Sequence, residues 1–105
     1  MNDWNVILSA DFKAEVRAIR SYIADVLSAP LTAARYVRRI IDAVKALSEM
    51  PLRYSLYDKE PWRGRGLRKL IVDNFVVFYW TNEQAKEVVA FHVFYGGRNI
   101  EECLQ

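Results

Sequence analysis

The chain has 105 residues, and its apolar share of 52% excludes a disordered polypeptide. Its 15 basic residues nearly balance its 13 acidic ones, which leaves a formal net charge of +2. This length predicts a single domain over residues 1–105, built around one hydrophobic core. No apolar run approaches the roughly 20 residues that span a bilayer, and no signal peptide is visible. We therefore expect no membrane partner.

The single cysteine and the single histidine narrow the chemistry further. Cys103 cannot form a disulfide within the chain, which fits a reducing, cytoplasmic location. One Cys and one His are too few for a zinc site. We therefore expect neither a metal site nor another cofactor.

The first half of the chain predicts a short strand and two helices. Alternating apolar residues over 4–8 indicate the strand, and Ser9 is a good N-cap for the helix that follows. Apolar residues three and four apart then predict one helix over about 9–28, with a stripe formed by Phe12, Val16, Ile19, Ile23 and Val26. Pro30 suits the start of a second amphipathic helix, which Pro51 ends. The short connection predicts an antiparallel helical hairpin.

The second half predicts three strands after an irregular segment over 52–66. The strands are Leu67–Val72, Phe75–Thr81 and Glu87–Tyr95. The middle one is apolar over 75–80, as expected for a central strand covered on both sides. Asn99 could cap a short final helix that runs to Leu104. The order β-α-α-β-β-β(-α) predicts an α+β fold, with the helical hairpin packed on a small, mainly antiparallel sheet.

A basic run, with an aromatic residue at its start, is the first candidate functional feature. Arg63 and Arg65 lie in a loop beside Trp62, and Arg68 and Lys69 follow in a strand, where they should point to opposite faces. Arginine next to an exposed aromatic residue is a common nucleic-acid contact, through phosphate binding and base stacking. The alternative is a solvated loop.

The end of the last strand is the second candidate feature. Tyr95 and Arg98 flank a Gly-Gly break, which places a phenol and a guanidinium at one rim of the sheet. His92 precedes them, and we expect it to share a surface with Phe94. The alternatives are a plain turn for Tyr95 and Arg98, and a hydrogen-bonded structural role for His92.

Six short stretches add a pattern through their order and spacing. They are Trp4-Asn5-Val6 with Leu8-Ser9, Tyr22-Ile23, Ala33-Ala34-Arg35-Tyr36, Leu47-Ser48-Glu49-Met50-Pro51-Leu52-Arg53, Leu67 to Phe75 with Val77-Phe78-Tyr79, and Val93-Phe94-Tyr95-Gly96-Gly97-Arg98-Asn99-Ile100. Together they span nearly the whole chain and resemble toxins of the RelE/ParE superfamily of bacterial type II toxin–antitoxin (plasmid stabilisation) systems. The resemblance implies a growth-inhibiting toxin that a cognate antitoxin wraps and neutralises, with DNA contacted only through that antitoxin.

The resemblance leaves the target of the toxin open. ParE-like members poison DNA gyrase without catalysis, and the long helical hairpin and the length of this chain favour them. RelE-like members cleave mRNA on the ribosome without metal, so an enzymatic activity would be that of an endoribonuclease. A third alternative is an inactive member held by its antitoxin.

For a nuclease, the resemblance implies a set of candidate catalytic residues. Lys69 resembles a sheet lysine of RelE, and Arg98 resembles the arginine after the last strand. Arg68 would also stabilise phosphate charge, and His92 or Tyr95 could shuttle a proton. Trp62, Arg63 and Arg65 are the candidate RNA- or target-binding residues. A further RelE arginine falls near Val76, where this chain has no cation.

Overall fold

The computed structural model describes residues 3–96 and Leu104. In chain order its long elements are β1 (Asn5–Leu8), α1 (Ala10–Ser21), α2 (Pro30–Lys45), β2 (Arg68–Val72), β3 (Phe75–Asn82) and β4 (Glu87–Tyr95). A π-helical turn, Tyr22–Val26, extends α1, and short 3-10 turns lie at Ala46–Ser48 and Pro51–Arg53. The predicted α+β order is confirmed, whereas the predicted final helix lies outside the described residues, apart from Leu104.

The four strands form one sheet in the order β1-β4-β3-β2. β1 runs parallel to β4, and the other two pairs are antiparallel, so the mainly antiparallel sheet is confirmed. β1 pairs only with Glu87–Ala90 of β4. β4 continues to Tyr95, and among residues 3–96 no strand pairs with this second half on the β1 side.

The helix α1 begins where β1 ends, and its cap also holds the sheet. The Ser9 hydroxyl accepts a hydrogen bond from the backbone N–H of Phe12 at 3.0 Å, which confirms the predicted N-cap. The same hydroxyl donates to the Phe91 carbonyl at 2.8 Å. One side chain therefore starts the helix and attaches it to β4 beyond the end of β1.

The end of the first helix differs from the prediction of one regular helix over 9–28. Its last turn is π-helical, with the Leu27 N–H bonded to the Tyr22 carbonyl at 3.1 Å. This wider turn changes the direction in which later side chains point. Phe12, Val16 and Ile23 of the predicted stripe are buried, but Val26 is 66% exposed. The prediction that Val26 continues the stripe was therefore wrong.

The sheet has an apolar cluster on each side. The helix face packs against α1 and α2 and contains Leu70, Val72, Phe75, Val77, Tyr79, Val88, Ala90 and Val93. Side chains that alternate with these form the opposite side, called here the far face, with Tyr57, Leu67, Phe78, Phe94 and Leu104 buried there. β3 contributes to both clusters, which confirms that it is a central strand covered on both sides.

The segment predicted to be irregular is attached to the helix face by two polar side chains. The Tyr79 hydroxyl is buried and donates to the Pro51 carbonyl at 2.6 Å. Arg68 Nη1 donates to the Tyr54 carbonyl at 2.6 Å and to the Leu52 carbonyl at 3.2 Å. These bonds fix the path of the chain from α2 to β2, because each side chain belongs to the sheet and each acceptor to the connection.

The Tyr79 contact predicts a specific dependence of stability on pH. Burial raises the pKa of Tyr79 to about 12 from 10.0, although the Arg68 guanidinium acts in the opposite direction. The neutral phenol is thus favoured in the folded state. Its stabilisation is complete below pH 10 and is lost as pH rises towards 12, because the unfolded chain releases the proton first.

We therefore expect Tyr79→Phe to lower the free energy of unfolding at pH 7 by about 1–2 kcal/mol, because the Pro51 carbonyl loses its donor. Between pH 10 and 12 the advantage of the unmodified protein should shrink by roughly 1 kcal/mol per pH unit. Urea denaturation at several pH values measures both effects. Tyr95→Phe, which alters a ring that is 53% exposed, is the control. A pH-independent difference between the unmodified protein and Tyr79→Phe would contradict the assignment.

Candidate functional site

The far face places two of the predicted site residues in one row across three strands. Lys69 of β2 pairs with Phe78 of β3, and Phe78 pairs with His92 of β4. Two strand spacings separate Lys69 from His92, which is about 10 Å between backbones. The ring of Phe78 therefore lies between the two polar side chains.

A bulge in the pairing of β3 with β4 gathers aromatic rings around His92. The register shifts between Phe78 and Tyr79, so that Phe91 and His92 lie together opposite this point. The His92 ring lies 4.1 Å from the Phe91 ring and stacks on Phe94 at 5.0 Å between centroids. The expectation that His92 and Phe94 share a surface is confirmed.

His92 has a charged partner that sequence reasoning missed. Its Nδ1 lies 2.7 Å from Oε2 of Glu15, and Glu15 Oε1 accepts a hydrogen bond from the Val93 N–H at 3.0 Å. Glu15 belongs to α1, more than seventy residues earlier in the chain. Its position in the second turn of a helix gave no local sign of this pairing.

Arg68 lies on the other side of the sheet from Lys69, as the alternation of strand side chains predicted. It faces the helix face, and its Nη1 is occupied by the two carbonyls of the connection before β2. Its Nε is buried without a hydrogen-bond partner in the described part of the chain. The geometry gives Arg68 a structural role and separates it from the row formed by Lys69 and His92.

The three loop candidates, Trp62, Arg63 and Arg65, differ in how far they are buried against the far face. Trp62 is half-buried and packs edge-on against Tyr57 of the far-face cluster, with ring centroids 5.8 Å apart. Arg63 and Arg65 are exposed in the turn that leads into β2. The next residue, Gly66, has a φ of 84°, a conformation that favours glycine, and it directs the chain into the strand. The arginines thus lie at the rim of the far face and Trp62 within it.

Tyr95 borders a different feature, a groove on the helix side of the sheet. Its ring packs edge-on against Phe75 at 6.0 Å and is 53% exposed. The groove has a volume of about 850 Å³ and is lined mainly by apolar residues, namely Glu15, Ala18, Ile19, Tyr22, Ile23, Leu27, Ala29, Thr32, Tyr36, Asn74, Phe75, Val93, Phe94 and Tyr95. Tyr95 is therefore separated from Lys69, Arg63 and Arg65.

The remaining candidate, Arg98, lies outside the described residues, so its predicted role stays a prediction. Among residues 3–96 and 104, no three His, Cys, Asp or Glu side chains are arranged to hold a metal ion. The helices in this part of the chain are too short or too polar to cross a membrane.

A comparison with protein-family models identifies the family. The model for the ParE toxin of the parDE type II toxin–antitoxin system matches residues 6–100. The chain belongs to the ParE toxin family. The match begins within β1 and includes both helices and the other three strands, so it covers the groove and the strand residues of the far face. A comparison with curated proteins found no match.

Solved structures support the same fold. The chromosomal ParDE system from P. aeruginosa superposes with a TM-score of 0.73 at 20% identity, over 90% of this chain and 98% of that one. The RelBE2 toxin–antitoxin complex from Mycobacterium tuberculosis gives 0.68 at 15% identity, over 90% and 93%. The archaeal RelE–RelB complex from Pyrococcus horikoshii OT3 gives 0.62 at 12%, over 93% and 99%. The ParE-family chain therefore shares its fold with both branches of the superfamily.

The contrast between Arg68 and Arg63 yields a test of their roles. Arg68→Met should lower the free energy of unfolding by about 2 kcal/mol, because two backbone carbonyls lose a charged donor. Arg63→Met changes an exposed side chain of the same type and should stay within about 0.5 kcal/mol. Guanidinium denaturation measures both. Equal effects would show that Arg68 is not the anchor of the connection before β2.

Proposed function

We propose that this chain is the toxin of a type II toxin–antitoxin pair and that it inhibits DNA gyrase by binding, without catalysis. It is neutralised by a cognate antitoxin. Membership of the ParE family supports the class of protein, and the ParDE system among the structural relatives is consistent with it. The choice of gyrase over the ribosome depends on the composition of the far face.

The observation that carries this choice is the scarcity of cations on the far face. A nuclease that cleaves RNA without metal needs fixed cations around the reacting phosphate. Among the described strand residues of the far face, Lys69 is the only cation, because Arg68 points to the helix face and Val76 is apolar. The partly buried rings of Trp80 and Phe91 offer aromatic surface on the same face. Aromatic residues with few charges are typical of protein-binding surfaces.

Ribosome-dependent mRNA cleavage is the second candidate. Its support is the row that places Lys69 and His92 on one face of the sheet. In that reaction the ribose 2′-hydroxyl attacks the adjacent phosphorus, and the 5′-oxygen of the next nucleotide leaves. His92 would take the hydroxyl proton and Lys69 would stabilise the phosphate charge. An inactive, antitoxin-bound member is the third candidate, and it predicts no effect on growth.

The groove on the helix side is the proposed site of the antitoxin. It lies between α1 and the end of β4, and exposed Tyr22 and Leu27 extend its apolar lining to the surface. Two of the related structures are complexes of a toxin with its antitoxin. An amphipathic antitoxin segment would bury this apolar lining.

The gyrase proposal predicts that purified toxin at micromolar concentration blocks DNA supercoiling or accumulates cleaved gyrase–DNA complexes. Lys69→Glu should weaken this inhibition about tenfold, because it reverses the charge of the far face's only cation among the described strand residues. Lys13→Glu reverses an exposed charge on α1 and serves as the control. Normal supercoiling together with mRNA cut on programmed ribosomes would favour the nuclease instead.

The groove proposal predicts that Ala18→Arg weakens co-purification with the antitoxin and restores toxicity when both are expressed from their own locus. A long cation at Ala18 would project into the apolar groove, where its charge loses hydration. Ala14→Arg, at an exposed position of α1 outside the groove, is the matched control. Equal antitoxin binding by both variants would place the antitoxin elsewhere.

A further inference from the structure

Glu15 makes two contacts that the family match does not explain. One carboxylate oxygen accepts the Val93 N–H at 3.0 Å, and the other lies 2.7 Å from Nδ1 of His92. Both oxygens of the carboxylate are thus engaged by consecutive residues of β4. The side chain of Glu15 itself is 25% exposed and reaches the wall of the groove.

The first contact follows from the length of β1. Because β1 ends at the pairing of Leu8 with Ala90, the Val93 N–H of β4 has no strand partner among the described residues. A buried N–H without an acceptor is costly, and the second turn of α1 brings a carboxylate to it. Glu15 therefore replaces one hydrogen bond of the missing strand.

The second contact determines which ring nitrogen of His92 carries the proton. An ionised carboxylate only accepts hydrogen bonds, so Nδ1 must donate. In the neutral imidazole Nε2 then has a free lone pair. Packing on Phe91 and Phe94 keeps the ring from turning, and Nε2 makes no hydrogen bond within the described residues.

His92 Nε2 is a hydrogen-bond acceptor on a face that also carries donors. The ring is on the far face, where Lys69 and Trp80 can only donate hydrogen bonds. His92 Nε2 adds an acceptor to this surface, and the side chain keeps 13% of its area accessible. A protein target that presents a hydroxyl, amide or ammonium donor between aromatic contacts would match it. Nucleic acid fits less well, because phosphate groups accept hydrogen bonds and call for more cations than Lys69 supplies.

We infer that Glu15 is a positioning residue, which fixes His92 in the Nδ1–H form and presents Nε2 to a hydrogen-bond donor of the protein target. This inference rests on the proposed function, because the target is taken to be a protein bound at the far face. It adds a specific polar contact, made by His92, to that docking surface, and Glu15 positions this contact from the helix side of the sheet.

The first test uses the fact that the chain has only one histidine. Nitrogen-15 NMR of the unmodified toxin should show a protonated Nδ1 and an unprotonated Nε2 in the neutral ring. Glu15→Gln keeps the size and an oxygen for the Val93 N–H, but its amide can donate to Nδ1 instead. The proton should then move to Nε2. Glu83→Gln, in an exposed turn, is the control. An unchanged ring in Glu15→Gln would overturn the inference.

The second test measures the effect on gyrase. Glu15→Gln and His92→Phe should each weaken inhibition of supercoiling about tenfold, and the double variant should be no weaker than either, since one contact is lost in all three. Thermal unfolding shows whether each variant is folded at the assay temperature. Losses that add in the double variant would overturn the inference. Full inhibition by Glu15→Gln, in which the His92 proton has moved to Nε2, would also overturn it. Failure of the unmodified toxin to inhibit gyrase would instead contradict the proposed function, while the NMR result would still test the positioning by Glu15.

Discussion

The short pairing between β1 and β4 is the constraint on which the arrangement of this molecule depends. Because β1 ends at Leu8, the described strands give a parallel neighbour to only the first half of β4. Polar side chains of α1 and of its N-cap supply hydrogen bonds to the second half, with Ser9 bonded to the Phe91 carbonyl and Glu15 to the Val93 N–H. Such bonds are needed wherever backbone groups are removed from water. The helix is thereby fixed across the end of the sheet, and it leaves beside Tyr95 the space that forms the groove.

The charged and aromatic residues are divided between the two sides of the sheet, and the division has a structural cause. Arg68 lies on the helix side, where it donates to a carbonyl of the connection before β2. The buried Tyr79 hydroxyl donates to another carbonyl of the same connection. Lys69, the next residue, is thereby directed to the far face. The far face therefore gains aromatic surface and a single strand cation among the described residues, instead of a cluster. This distribution is better suited to binding a protein than to stabilising the negative charge of a reacting phosphate.

Features that depend on neighbours in the sequence were predictable, and those that depend on distant partners were not. The Ser9 cap, the helix start at Pro30 and the alternation of Arg68 with Lys69 follow from local rules, and the structure contains all three. The parallel pairing of β1 with β4 is not visible in either strand alone. The bulge at Phe78 that gathers the rings also arises from pairing. The contact between Glu15 and His92 joins residues 77 positions apart, so no periodicity could reveal it.

The π-helical turn was only partly predictable: the sequence indicates a helix there, but not the change of turn. The apolar spacing of the first helix stays regular through Val26, and nothing in that spacing marks a change of turn. Packing explains the outcome, because Ile23 is buried while the exposed Tyr22 and Leu27 line the groove. A regular helix would have carried Val26 back towards the core. The wider turn instead leaves apolar side chains at the surface, as expected at a position that receives a partner.

The groove and the far face lie on opposite sides of β4, which bears on how an antitoxin would neutralise the toxin. A segment bound in the groove would contact Tyr95 and the α1 side chains, and it would leave the partly buried rings of Trp80 and Phe91 uncovered. Simple covering of the target surface would then require a second segment of the antitoxin. Glu15 offers another route, because its carboxylate lines the groove and also holds His92 on the far face. A partner that drew this carboxylate away from Nδ1 would release the ring proton and alter the acceptor that the target meets.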